Sequence, residues 1–154
     1  VMDDLACVWT LKPDGSDRRL LTSAADLGLE RIGNWKWSPD GERLALDGMR
    51  ELNWDVYVFD VDNGDLVRVT SAPARDAGPV WSPDGAQLAY VGETSGQPDV
   101  YIVGAGGGTP TRVTETVPRE GFLSWAPDGS ELARSAASIR AQRTAVAFLT
   151  PVDA

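Results

Sequence analysis

An all-β fold made from one repeated antiparallel unit is what this sequence predicts, on three observations. The pentapeptide Trp37-Ser38-Pro39-Asp40-Gly41 returns as Trp81-Ser82-Pro83-Asp84-Gly85 and as Trp125-Ala126-Pro127-Asp128-Gly129, each copy 44 residues after the last. A fixed period of this length marks an array of one supersecondary unit. Short runs rich in Val, Tyr and Leu, bounded by Gly, Pro, Asn and Asp, recur at the same offsets within each period. One of them, Asp55-Val56-Tyr57-Val58-Phe59, is apolar on both faces, so its sheet must be covered on both sides.

Each period holds four strand-like runs. The chain opens on a half unit, 1–22, in which Leu5 to Leu11 and Arg19 to Thr22 read as third and fourth strands around a Pro13-Asp14-Gly15 turn. The first full unit spans 31–70. Its first strand ends at Trp37, Leu44 to Leu46 is the second, Asp55 to Phe59 the third and Val67 to Thr70 the fourth. Asn63-Gly64 between the last two predicts a type I′ turn. The second unit, 77–114, repeats the series with Gly78 to Ser82, Gln87 to Val91, Asp99 to Val103 and Thr111 to Thr114. An incomplete unit, 121–152, supplies Glu131 to Ser135 and Thr144 to Thr150 as second and third strands. Asp55 and Asp99, Tyr57 and Tyr101, Arg68 and Arg112, and Thr70 and Thr114 are equivalent pairs, 44 residues apart.

Within the pentapeptide the residue types assign the roles. Proline fixes φ at the second position of a type I turn, and glycine takes the left-handed position after it. Asp40, Asp84 and Asp128, with Gly41, Gly85 and Gly129, are therefore turn residues. Trp37, Trp81 and Trp125 read as packing anchors between units, since a buried Trp covers about 150–250 Å². The single cysteine, Cys7, allows no intrachain disulfide and reads as a small core residue.

The motifs Trp-Ser-Pro-Asp-Gly-x-x-Leu-Ala at 37–45 and 81–89, Asp-Val-Tyr at 55–57 and 99–101, and Arg-Val-Thr at 68–70 and 112–114 resemble the WD40-like repeats of TolB-type β-propellers. The resemblance covers essentially the whole chain. It implies a propeller of four-stranded antiparallel blades, six of them in the best-known members. Departures lie in the last unit, where Ala126 replaces the motif serine and Arg134 stands where Leu46 and Tyr90 stand earlier. The 154 residues hold about 3.5 blades, fewer than the typically 4–8 of a closed ring. Two completions follow: the chain is part of a larger propeller, or two copies form a homodimer that closes one ring.

Composition narrows the function. A net charge of −9 argues against a nucleic-acid partner, which would require clustered Lys and Arg. No apolar stretch reaches the roughly 18 residues of a membrane-inserted helix. The chain has no histidine, which removes Ser-His-Asp and Cys-His catalysis and His-ligated metals from what it does alone. There is no Gly-x-Ser-x-Gly elbow and no phosphate loop. Asp60 to Asp65 falls short of a calcium loop, with glycine one position early and no distal Glu, so no metal or cofactor is expected.

Binding is expected on the face that carries the longer links: Ser23 to Asn34, Asp47 to Trp54, Ser71 to Gly78, Gly92 to Pro98 and Glu115 to Gly121. Arg31, Arg75 and Arg119 each stand six residues before a blade Trp. They read either as an arc that clamps a carboxylate or other anion, or as structural partners of Glu30, Asp76 and Glu120. The expectation is a non-enzymatic scaffold for a protein or peptide partner; the resemblance implies a periplasmic, cell-envelope setting. The alternative is the substrate-gating propeller of a larger serine peptidase of the prolyl-oligopeptidase or tricorn kind. A propeller lyase is a third reading, disfavoured by the missing histidine.

Overall fold

In a computed structural model of the chain, residues 7–114, 122–136 and 145–149 are described. They form strands joined by turns, with no helix among them. β1 (Cys7–Thr10) and β2 (Arg19–Ser23) make a two-stranded sheet. β3 (Arg31–Trp37), β4 (Arg43–Arg50), β5 (Asn53–Asp60) and β6 (Leu66–Arg68) make a four-stranded one. β7 (Asp76–Trp81), β8 (Gln87–Gly92), β9 (Asp99–Gly104) and β10 (Thr111–Arg112) repeat it, and β11 (Leu123–Trp125), β12 (Leu132–Ala136) and β13 (Ala145–Leu149) make a three-stranded sheet. Every pairing is antiparallel and sequential. The first strands β3, β7 and β11 lie side by side. This is the blade arrangement of a partial β-propeller. Leu5, Ala6, Thr144 and Thr150, expected in strands, lie outside the described residues.

The core lies between sheets, as two-faced strands require. Leu44, Leu46, Tyr57 and Phe59 join Val8, Leu29 and Ile32 on one side of the first four-stranded sheet. Their alternates Ala45, Val56 and Val58 join Trp81, Leu88, Tyr90 and Val103 on the other. Ala89, Val100 and Ile102 then meet Leu123 and Leu132 of the last sheet. Two-residue periodicity thus feeds each strand into two different cores.

The turns follow the pentapeptide. Gly41, Gly85 and Gly129 donate backbone N–H to the carbonyls of Ser38, Ser82 and Ala126 and sit at φ of 77°, 70° and 77°. Ser38 donates its hydroxyl to Asp40, and Ser82 donates to Asp84 at 2.6 Å. Where Ala126 lacks a hydroxyl, Ser130 donates to Asp128 instead, at 2.7 Å. These serine hydrogen bonds hold the Asp40, Asp84 and Asp128 carboxyls below the usual carboxylate range.

The three motif tryptophans do not share one environment. Trp81 is buried and its indole N–H donates to the Lys36 carbonyl on β3 at 3.1 Å, with the Arg43 guanidinium 4.8 Å from the ring centre. Trp37 is not buried: it is 46% exposed. Trp81 leans on the first strand of the preceding sheet, whereas the sheet before Trp37 holds, among the described residues, β1 and β2. Trp125 is half-buried against the third core cluster.

The turn chemistry also moves. Asn63 does not take a positive φ, so Asn63-Gly64 is not type I′. The Asp60 carboxylate accepts the N–H groups of Asp62 and Asn63 and holds a wider turn. The tight two-residue turn sits instead at Glu51-Leu52, with φ of 54° and 64°. β4 and β5 run on to meet there, so Asp47 to Trp54 is a hairpin and not a long link. Two L-residues in the left-handed region cost about 1–2 kcal/mol each. The Glu30 carboxylate accepts the Glu51 N–H at 2.9 Å and steadies the turn.

Trp81→Ala is expected to destabilise the fold by about 3–5 kcal/mol, and Trp37→Ala by less than half of that. Urea unfolding of the two variants measures the difference.

Candidate functional site

The meander brings one set of ends together: the starts of β3, β7 and β11, the β4–β5 and β8–β9 connections, and the ends of β6 and β10. Arg31 opens β3 and Arg75 immediately precedes β7; both are exposed. The Arg75 guanidinium stands 5.8 Å from the centre of the Trp54 ring. Among the described residues neither arginine forms an ion pair. The structural pairing weighed for them is not adopted at Arg31, because Glu30 serves the Glu51 turn. It is not adopted at Arg75 either, because the Asp76 carboxylate is buried and makes no ion pair. Arg119 and Glu120 lie outside the described residues. Leu52, 85% exposed, and Phe122, 87% exposed, stand on the same face.

Behind this face lies a set of buried acids that sequence reasoning did not single out. Asp47 accepts the backbone and side-chain N–H groups of Asn34 and, across the sheet boundary, the N–H of Gly78 at 2.8 Å. It ties the first strand of its own sheet to that of the next. Asp55 is fully buried and pairs with Arg68 at 2.6 Å; its equivalent Asp99 pairs with Arg112 at 2.7 Å. Burial pushes the Asp55 carboxyl up, and Arg68 pulls it partly back. Thr70 and Thr114 accept the N–H groups of Val56 and Val100. The signal for these contacts was the 44-residue recurrence of all the partners, Asp with Arg and Val with Thr.

Asp76 stands apart. It is 1% exposed and makes no ion pair among the described residues; the Thr70 hydroxyl is the one hydrogen-bond donor there that bears on its carboxylate. Burial pushes its pKa up to about 6; the Thr70 hydroxyl and Arg68 oppose the rise, and Asp55 adds to it. It lines a cleft of about 360 Å³ between the two four-stranded sheets, with Thr70, Tyr90, Thr94 and Tyr101. The Tyr90 and Tyr101 rings stack with centres 5.6 Å apart. Among the described residues, no three His, Cys, Asp or Glu side chains gather as a metal site would need.

The Asp76 carboxyl sits above its unfolded pKa of about 3.9. Its ionisation therefore costs stability in full above about pH 6, and the cost fades as pH falls through about 4 to about 3, where both states hold the proton. Asp76→Asn is expected to stabilise the fold by about 1–3 kcal/mol at pH 8 and by nothing near pH 3. Urea midpoints at the two pH values check this.

Comparison with known proteins places this architecture. Residues 29–150 match the family model described as the TolB beta propeller domain. An uncharacterised protein of Agrobacterium fabrum is 31% identical over 75 residues, covering 48% of this chain and 24% of that one. A solved TolB-like protein of Agrobacterium tumefaciens superposes with a TM-score of 0.77 at 24% identity, covering 94% of this chain and 52% of the other. TolB of Acinetobacter baumannii gives 0.68 at 21% identity, covering 94% and 38%. Enzymes share the fold as well: an oligogalacturonate lyase gives 0.67 at 19% identity, covering 94% and 41%, and a prolyl endopeptidase 0.65 at 20%, covering 97% and 25%. The chain thus spans about a quarter of its curated relative and about half or less of these solved proteins. With the repeat, the sheet order and the family match in agreement, the chain belongs to the TolB beta propeller domain family.

Proposed function

We propose that this chain is a non-enzymatic scaffold that binds a protein or peptide on the face carrying the starts of β3, β7 and β11. Arg31 and Arg75, with Arg119 at the next equivalent position, receive an anionic group of the partner there. The observation that supports this is that Arg31 and Arg75 are exposed at recurring positions and make no ion pair among the described residues. An unpaired guanidinium on a rigid strand end is ready to bind a carboxylate in bidentate fashion. Leu52 and Phe122 add apolar contact area beside the charges.

A second reading, a gating propeller in a larger serine peptidase, draws on the likeness to the prolyl endopeptidase propeller. That likeness concerns the fold, which peptidase, lyase and TolB proteins share. A nucleophilic serine in Gly-x-Ser-x-Gly with a distant His on the same polypeptide would favour it.

Selection of a random peptide library against the chain tests the scaffold reading. The expected outcome is enrichment of carboxylate-bearing peptides whose affinity falls tenfold or more in an Arg31→Ala/Arg75→Ala variant with an unchanged thermal midpoint. Undiminished affinity in that variant, or no enrichment, would contradict the reading.

A further inference from the structure

Asp76 differs from its structural equivalent in the preceding sheet. One period earlier the position holds Ile32, which is 8% exposed and belongs to the first core cluster. The blade architecture therefore accepts an apolar side chain there, and packing alone does not call for an acid. A buried carboxylate without a partner is costly. The residue nevertheless makes no ion pair among the described residues at 1% exposure, with the Thr70 hydroxyl as the one hydrogen-bond donor that bears on it. Arg68, whose charge reaches it, is already engaged by Asp55 at 2.6 Å and by the Thr70 carbonyl at 3.0 Å.

The surroundings are those of a ligand site. The cleft of about 360 Å³ falls within the range of about 300–1,000 Å³ of small-molecule sites. Tyr90 and Tyr101 supply stacked aromatic surface. Gly92 pairs directly opposite Asp76, and a Cβ there would come within 2.7 Å of its Oδ1. The glycine leaves the carboxylate its place. The net charge of −9 draws cations towards the whole molecule. A lone carboxylate among tyrosines offers too few oxygen donors for a metal ion but suits an organic cation.

The geometry points to a subsite in this cleft for a primary ammonium or guanidinium group on an aliphatic stem, with Asp76 as its counter-ion and Tyr90 and Tyr101 against the stem. Both a free amine and a Lys or Arg side chain carry that group. The subsite stands independently of Arg31 and Arg75. Cation binding would also oppose the burial that raises the Asp76 pKa.

Titration with n-butylammonium at neutral pH, followed through the ring resonances of Tyr90 and Tyr101, tests the subsite. Saturable shifts are expected in the native chain. Affinity should fall tenfold or more in Asp76→Asn, and also in Thr94→Trp, which fills the exposed rim of the cleft without altering the buried carboxylate. Neutral 1-butanol should not compete. A blocked Gly-Lys-Gly tripeptide that binds tenfold or more tighter than n-butylammonium assigns the cation to a side chain; equal or weaker binding assigns it to a free amine. Absence of saturable shifts, equal affinity in Asp76→Asn, or equal binding of 1-butanol would overturn the proposal.

Discussion

Leu44, Leu46, Tyr57 and Phe59 fill one side of the first four-stranded sheet, and Ala45, Val56 and Val58 fill the other. A sheet that is apolar on both faces cannot face water on either, so each blade depends on a neighbour for its stability. The rest of the structure answers to that constraint. Turns are short where sheets must stay in register, and the first strands line up side by side. Trp81 acts across the boundary, with its ring in the second cluster and its N–H on the Lys36 carbonyl. Arg43 reinforces the same joint by covering that ring and donating to the Gly85 carbonyl at 3.2 Å.

Polar contacts add position to this apolar adhesion. Asp47 accepts three N–H groups and spans two sheets, so its buried charge is well solvated by dipoles. Asp55 and Asp99 are fully buried opposite half-exposed arginines, which tie the third strand of each blade to its fourth. Breaking such a pair leaves a bare charge inside, which costs far more than the pair contributes in net stability. Against this background of satisfied acids Asp76 is the exception, and an exception in a cleft is a better pointer to a ligand than an acid in a network.

The period, the strand positions and the two-faced alternation of β5 were legible because they are local and repeat. Trp37 and Trp81 carry the same motif, yet one is 46% exposed and the other buried. Their difference lies in the sheet that precedes each, which no local pattern reports. The Glu51-Leu52 turn escaped notice because it lacks the Gly or Asn that such turns favour. A side chain distant in sequence, Glu30, holds it. Asn63-Gly64 carried the stronger hairpin signal but gave way to the Asp60 side chain, which caps a wider turn. At the candidate site, the arginines were visible as a recurrence. The lack of an ion pair at Asp76 was not, since it depends on Arg68 being drawn to Asp55.

Native-state hydrogen exchange tests most directly whether the blades stabilise one another. Leu88 is fully buried on β8 but belongs to the cluster shared with β5 of the neighbouring sheet. With Leu88→Ala, the amides of β5 should lose as much protection as those of β8 and β9, because the two sheets open together. Loss confined to β8 and β9, with β5 unchanged, would show sheets that stand alone and would contradict the account.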